Sequence, residues 1–143
     1  MDPRSGSCIF CAIVDGGAPA SFVHRDELVD AFLDINPVNP GHLLVVPKAH
    51  YVTLSDIDPT TAARMFVVAQ RLAAALRNSQ LRCEGINLFY ADGAVAGQEV
   101  FHAHLHVLPR HRGDGFGLRI DYDPAPSRTA LDAVAASIRA ALS

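Results

Sequence analysis

The spacing of apolar positions changes along the chain, and each change predicts a new element. Cys8 to Val14 reads as a short helical turn closed by Gly16-Gly17. Ser21 to His24 and Leu28 to Asp34 predict two strands joined by the polar turn around Arg25-Asp26. Asn36-Pro37-Val38-Asn39-Pro40-Gly41 is a cluster of turn residues. It leads into His42-Leu43-Leu44-Val45-Val46, a β-rich run that Pro47 ends. Asp58-Pro59 predicts a helix start, with a side-chain cap followed by proline at the first helical position. Met65, Phe66, Ala69, Leu72, Ala73 and Leu76 then recur at three- and four-residue spacing, giving this long helix one apolar face. Ile86 to Tyr90 and Val100 to Leu108 predict the last strands. Ser127 opens a final amphipathic helix through Leu131, Val134, Ile138 and Leu142.

This order predicts an α+β domain: an antiparallel sheet of about five strands, a long helix packed on it and a C-terminal helix, with the helices on one side. The helix–strand alternation of a doubly wound parallel sheet is absent. No repeat or linker divides the chain, so residues 1–143 are expected to form one domain, with its core over about 8–110 and the C-terminal helix over about 127–142. With 143 residues, half of them hydrophobic and 19% charged, the composition is that of a globular protein. A formal net charge of −3 gives no basic surface for duplex nucleic acid or an anionic membrane, while leaving room for a small phosphate ligand. No apolar run approaches a membrane span. Met1 to Ser7 is short and polar, and the cysteines (Cys8, Cys11 and Cys83) are odd in number, so the expected location is the cytoplasm. Cys83 stands alone and reads as a small buried residue.

The chemistry concentrates in His102-Ala103-His104-Leu105-His106-Val107-Leu108. On a strand, residues two apart share a face, so the three imidazoles would project together at steps of about 7 Å. Phe101, Ala103, Leu105 and Val107 would face the core. Packing alone is a poor explanation, because every buried ring nitrogen needs a partner that Val or Leu would not. A neutral imidazole is available as nucleophile or base at pH 7. Just upstream, Ala94 to Glu99 is a loop of small residues that can bring backbone N–H groups to a phosphate. Cys8-Ile9-Phe10-Cys11 has the spacing of a two-thiolate metal ligand; a redox pair and a plain buried pair are the alternatives.

Gly97-Gln98-Glu99-Val100-Phe101-His102-Ala103-His104-Leu105-His106-Val107-Leu108-Pro109-Arg110 resembles the signature of the histidine-triad superfamily. Phe32 to Pro37 and Pro40 to His50 resemble its other block, and the likeness runs from about Cys8 to Arg110. The resemblance implies a nucleotide hydrolase or transferase, usually a homodimer. By position His104 is the nucleophile that attacks an α-phosphorus, forming a nucleotidyl-histidine that water resolves. His106 holds the phosphate with Gln98 and the amides around it, at Gly97 and Glu99, and His42 completes the cluster. Asp34 accepts from the ribose, and Ile9, Phe10, Ile13 and Phe32 wall the base. In the zinc-containing branches, the matching ligands are Cys8, Cys11, His50 and His102, a structural site beside the nucleophile. A purine dinucleoside polyphosphate or a nucleoside phosphoramidate is the implied substrate, with Mg2+ accompanying a polyphosphate. A nucleotidyltransferase and a nucleotide-binding regulatory protein with slow chemistry remain as alternatives. Many relatives carry asparagine near Ala91, a position where Asp92 is the nearest polar substitute.

Overall fold

The computed structural model describes residues 7–142. Five strands, β1 (Phe22–Arg25), β2 (Val29–Leu33), β3 (Leu43–Pro47), β4 (Gly85–Tyr90) and β5 (Leu105–Arg110), form one antiparallel sheet in the order β1-β2-β3-β5-β4. The α+β class holds, with three α-helices: α1 (Ile9–Val14), α2 (Pro59–Asn78) and α3 (Arg128–Ala141). No helix among the described residues is long and apolar enough to cross a membrane.

Strand alternation divides the core in two. Val29, Ala31, Leu43, Val45 and Val107 point to one face and pack under α2, through its Met65, Val68, Ala69, Leu72 and Leu76. Phe32, Leu44 and Val46 point to the other face and pack under α1, through Phe10 and Ile13. The helices therefore cover both faces rather than the one expected, and α3 buries none of its residues. The predicted stripe of α2 also shifts. Phe66 is 60% exposed, and Val68 takes the inward place that the spacing had given it. Asp58 caps α2 as expected, accepting from the amides of Thr60 and Thr61.

Two prolines set where the sheet stops. β3 pairs with β5 only from Leu43↔Val107 to Val45↔Leu105. Pro47 lies past this register on β3, and Pro109 lies past its other end on β5; neither has an N–H to continue the ladder. The strand expected over Val100 to Leu108 is therefore displaced to Leu105–Arg110. Residues 98–104 enter it as a separately bonded segment, with the Ala103 amide donating to the Tyr51 carbonyl at 2.7 Å.

Two further contacts fix the elements that carry the site. Asp30, fully buried in β2, is held by Arg25 at 3.0 Å and Lys48 at 3.7 Å, and Arg25 also donates to the Val14 carbonyl at the end of α1. Neutralising a buried carboxylate in this way is what permits its burial. Gly41, just before His42, has φ of +97°, and a Cβ there would come within 2.8 Å of Leu81 and 3.0 Å of Leu76.

Leu76→Ala is expected to cost about 2–5 kcal/mol in urea unfolding, and Phe66→Ala within about 0.5 kcal/mol. Equal costs would contradict the face assigned to α2.

Candidate active site

His104 and His106 do not stand as equivalent strand residues beside His102. His106 lies in β5, opposite Leu44 of β3 and Phe89 of β4. His104 precedes the ladder, with its ring centroid 5.0 Å from that of His106. His102, fully buried, turns away toward the N-terminal cysteines. Phe101, expected to face the core, is half-exposed, whereas Ala103 and Val107 are buried as expected.

Hydrogen bonds to backbone groups of known polarity fix the tautomers. The His102 carbonyl can only accept, so the 2.6 Å contact puts the proton of neutral His104 on Nδ1 and leaves Nε2 as a lone pair. The Val38 amide donates to His42 Nδ1 at 3.0 Å, so neutral His42 carries its proton on Nε2. That proton is directed to His106 Nδ1 at 2.8 Å, which leaves His106 with an Nε2–H. The cluster thus offers one bare nitrogen, on His104, and one ring N–H donor, on His106. Asp34 faces His42 across the loop end of the β2–β3 hairpin, with its carboxylate 3.5 Å from His42 Nε2 and its other oxygen accepting from the Asn36 amide.

Burial holds these rings neutral. It pushes His106 down to about 4, aided by His104 and His42 and opposed by Asp34. Burial also lowers His104 and His42, with Asp34 opposing in both cases and the His102 carbonyl also opposing at His104.

Phe10 packs edge-to-face on His104, His102 and Phe32, with centroids at 5.1, 5.9 and 5.5 Å. Phe10, Ile13 and Phe32 are buried together beside the triad. Ile9 is half-exposed and lines a separate cavity of about 290 Å³ with Ser7, Cys8, His50, Glu99, Val100 and Phe101. Gln98 is buried and its amide is engaged within the chain. It donates to the Val52 and Val100 carbonyls and accepts from the Gly93 amide. It therefore braces the loop that carries Gly97, which adopts φ of +98°. Ala91 is buried, and the Asp92 carboxylate accepts from the Leu54 amide. A further neighbour, which no motif marks, is Phe89, whose ring lies 5.7 Å from that of His106. Placing β4 beside β5 in the correct register would have found it. The backbone groups of Pro47, Val38 and His102 carry no side-chain signal at all.

Cys8, Cys11, His50 and His102 converge, their ligand atoms lying within 4.8 Å of one another. Sulfur and nitrogen ligands on one tetrahedral zinc stand about 3.3–3.7 Å apart. The contacts here are 3.5 Å (Cys8 to His102), 3.6 Å (Cys11 to His102), 3.2 Å (Cys11 to His50) and 3.2 Å (His50 to His102). His102 Nε2–H donates to the Pro47 carbonyl at 2.8 Å, which leaves Nδ1 bare and aimed at the cysteines. The buried Nε2 of His50 has no partner, so its polar contacts run through Nδ1 to the same cluster. The donor set fits zinc. Asp34, His42 and His106 also converge, but as a hydrogen-bond chain with both His42 nitrogens engaged. Mg2+, which prefers oxygen ligands, gains no support there.

The family model described as "HIT domain" matches residues 15–113. The chain belongs to the HIT domain family. An uncharacterized HIT-like protein of Borreliella burgdorferi is 47% identical over 114 residues, 78% of this chain and 81% of that protein. The adenylylsulfatase HINT3 of Arabidopsis thaliana is 36% identical over 107 residues, 75% of this chain and 54% of that protein. A HIT family crystal structure from Bacillus anthracis superposes with a TM-score of 0.89 at 38% identity, covering 96% of this chain and 99% of the other. The Zn-bound histidine triad protein of Mycobacterium smegmatis gives 0.74 at 47% identity, covering 95% and 98%. The histidine triad nucleotide-binding protein of Candida albicans gives 0.83 at 28%, covering 93% and 95%.

The lowered histidines predict a pH dependence of stability. Between about pH 6.5 and about pH 4 the unfolded chain binds a proton that buried His106 refuses, and the lowered His42 acts in the same direction, so stability falls as pH falls. The urea midpoint should be level above pH 6.5 and drop below it. Replacing His106 by Gln should shallow that drop, and an unchanged slope would contradict neutral burial of this ring.

Proposed function

We propose that this chain hydrolyses a nucleotide at its α-phosphate, through a covalent intermediate on His104. The observation that carries this reading is the tautomer pattern: His104, with a bare Nε2, and His106, with an Nε2–H, are neighbouring rings whose centroids lie 5.0 Å apart. The His104 lone pair attacks phosphorus, forming a P–N bond, and the bond to the leaving group breaks with its electron pair. The imidazole becomes cationic, and the His102 carbonyl on its Nδ1–H faces the new charge. His106 Nε2–H donates to a phosphate oxygen as charge develops there. Water then attacks phosphorus, the P–N bond breaks, and the nucleoside monophosphate leaves with His104 restored.

Phe10, Ile13 and Phe32 provide an apolar wall for a base, and the Asp34 carboxylate beside His42 is an acceptor suited to ribose hydroxyls. The adenylylsulfatase name of the Arabidopsis relative and the nucleotide-binding name of the Candida protein support an adenosine nucleotide. Dinucleoside polyphosphates and phosphoramidates are the two substrate classes to compare. His106 supplies a donor where the uridylyltransferases typically have glutamine, which favours water over a second substrate as acceptor. Zinc on Cys8, Cys11, His50 and His102 would tie α1 to the segment before β5 and so hold Phe10 against His104. Both thiols must stay reduced to bind it, which favours a cytoplasmic location.

Incubation with an adenylated substrate and acid-free peptide mapping should find AMP on His104, and His104→Ala should lower turnover at least about a thousandfold with AMP still bound. Tight AMP binding by the unaltered protein without label or turnover would favour a binding protein instead. Elemental analysis should find about one zinc per chain, lost in Cys11→Ser together with several degrees of Tm. Zinc-free protein of unchanged Tm would remove the metal from this reading.

A further inference from the structure

The two sulfurs of the zinc ligand set do not stand in the same surroundings. Cys11 is buried, at 7% exposure, whereas Cys8 is half-buried and forms part of the wall of the cavity of about 290 Å³ beside α1. Ile9, Glu99 and Phe101 share that wall and are exposed, so the cavity opens to solvent. His50 lines it as well, while Cys11 and His102 lie behind in the core. Of the two sulfurs, a solute entering the cavity meets that of Cys8 first.

The pair is also placed for closure. Cys8 and Cys11 stand three residues apart at the start of α1, and the Cys11 amide donates to Cys8 Sγ at 3.3 Å. Both sulfurs belong to a set of ligand atoms within 4.8 Å of one another. A disulfide needs about 2 Å between sulfurs, a closure that one turn of a short helix can make. Cys83 stands apart before β4, its thiol donating to the Gly85 carbonyl at 3.4 Å.

We propose that Cys8 is an oxidation site, at which a small uncharged peroxide joins Cys8 to Cys11 as a disulfide and so releases the metal. The wall of the cavity selects this class of oxidant. Ile9, Val100 and Phe101 make it largely apolar, and the Glu99 carboxylate disfavours anionic oxidants such as glutathione disulfide. The Cys8 thiolate attacks one peroxide oxygen; an S–O bond forms, and the O–O bond breaks with its electron pair on the departing hydroxide. The Cys11 thiolate then attacks the Cys8 sulfur, the S–S bond forms and a second hydroxide leaves. Both hydroxides take protons from solvent, so two thiolates are oxidised while one hydrogen peroxide is reduced to two waters. Only His50 and His102 then remain as donors, too few for a structural zinc site. The effect reaches the reacting ring, because Phe10 lies between the two cysteines and packs on His104 at 5.1 Å. This inference rests on the zinc reading given above and not on the reaction at His104.

The zinc-loaded full chain is treated with hydrogen peroxide in the presence of a chromophoric zinc chelator. About one zinc per chain should be released in step with the loss of two thiols, and a thiol reductant with added zinc should reload the site. Peptide mapping should find a Cys8–Cys11 disulfide with Cys83 still reduced. Cys8→His keeps four donors and should hold zinc, releasing it to peroxide at least about tenfold more slowly. In Cys11→Ser, a sulfenic-acid reagent should label Cys8, a readout that needs no bound metal. Zinc retained while Cys83 is oxidised would overturn the proposal. So would equally fast release from Cys8→His, or faster release by glutathione disulfide than by peroxide. Protein purified without zinc would overturn both readings, and elemental analysis before the oxidant is added tells that case apart.

Discussion

The site depends on one short hydrogen bond, 2.6 Å from His104 Nδ1 to the carbonyl of His102. It selects the His104 tautomer and keeps the attacking nitrogen bare. That carbonyl is in turn fixed from two sides. His102 Nε2–H is bound to the Pro47 carbonyl, and His102 Nδ1 faces Cys8, Cys11 and His50. A residue that forms no bond to the phosphate therefore orients the one that attacks it. Its complete burial means that neither contact competes with water.

The break in the sheet makes this arrangement possible. Had residues 102–104 continued the β5 ladder, their carbonyls and amides would have paired with β3, leaving the His102 carbonyl unavailable to a side chain. Pro47 ends β3 and, lacking an N–H, offers only its carbonyl, which His102 takes. The short α1 helix then closes the site from the other face. Its start lies at the cysteines, its end is held by Arg25, and Phe10 between them packs on both His102 and His104.

Much of this was legible in the residue pattern. Among the described residues, the pattern pointed to the five strands, one of them displaced, and to the three α-helices, because turn clusters such as Asn36 to Gly41 and the cap at Asp58 mark their limits. The division of the three histidines, one toward the cysteines and two on the other side, follows from the HIT signature, and the convergence of Cys8, Cys11, His50 and His102 agrees with it. Tertiary detail was not legible. A period-two pattern cannot show that β5 begins only at Leu105, since that depends on where β3 ends. Nor can it show that the Gln98 amide is consumed in bracing its own loop, because Val52 and Val100 contribute backbone carbonyls. Phe66 fits the helical stripe by spacing, yet α2 meets the sheet through Val68.

The claim on which the account rests is the protonation pattern of three rings, and long-range nitrogen–proton NMR on histidine-labelled protein at pH 7 reads it directly. His104 should appear as the neutral Nδ1–H tautomer, with His42 and His106 as neutral Nε2–H tautomers. A protonated His104, or one carrying its proton on Nε2, would contradict the account, because no lone pair would then face the phosphate.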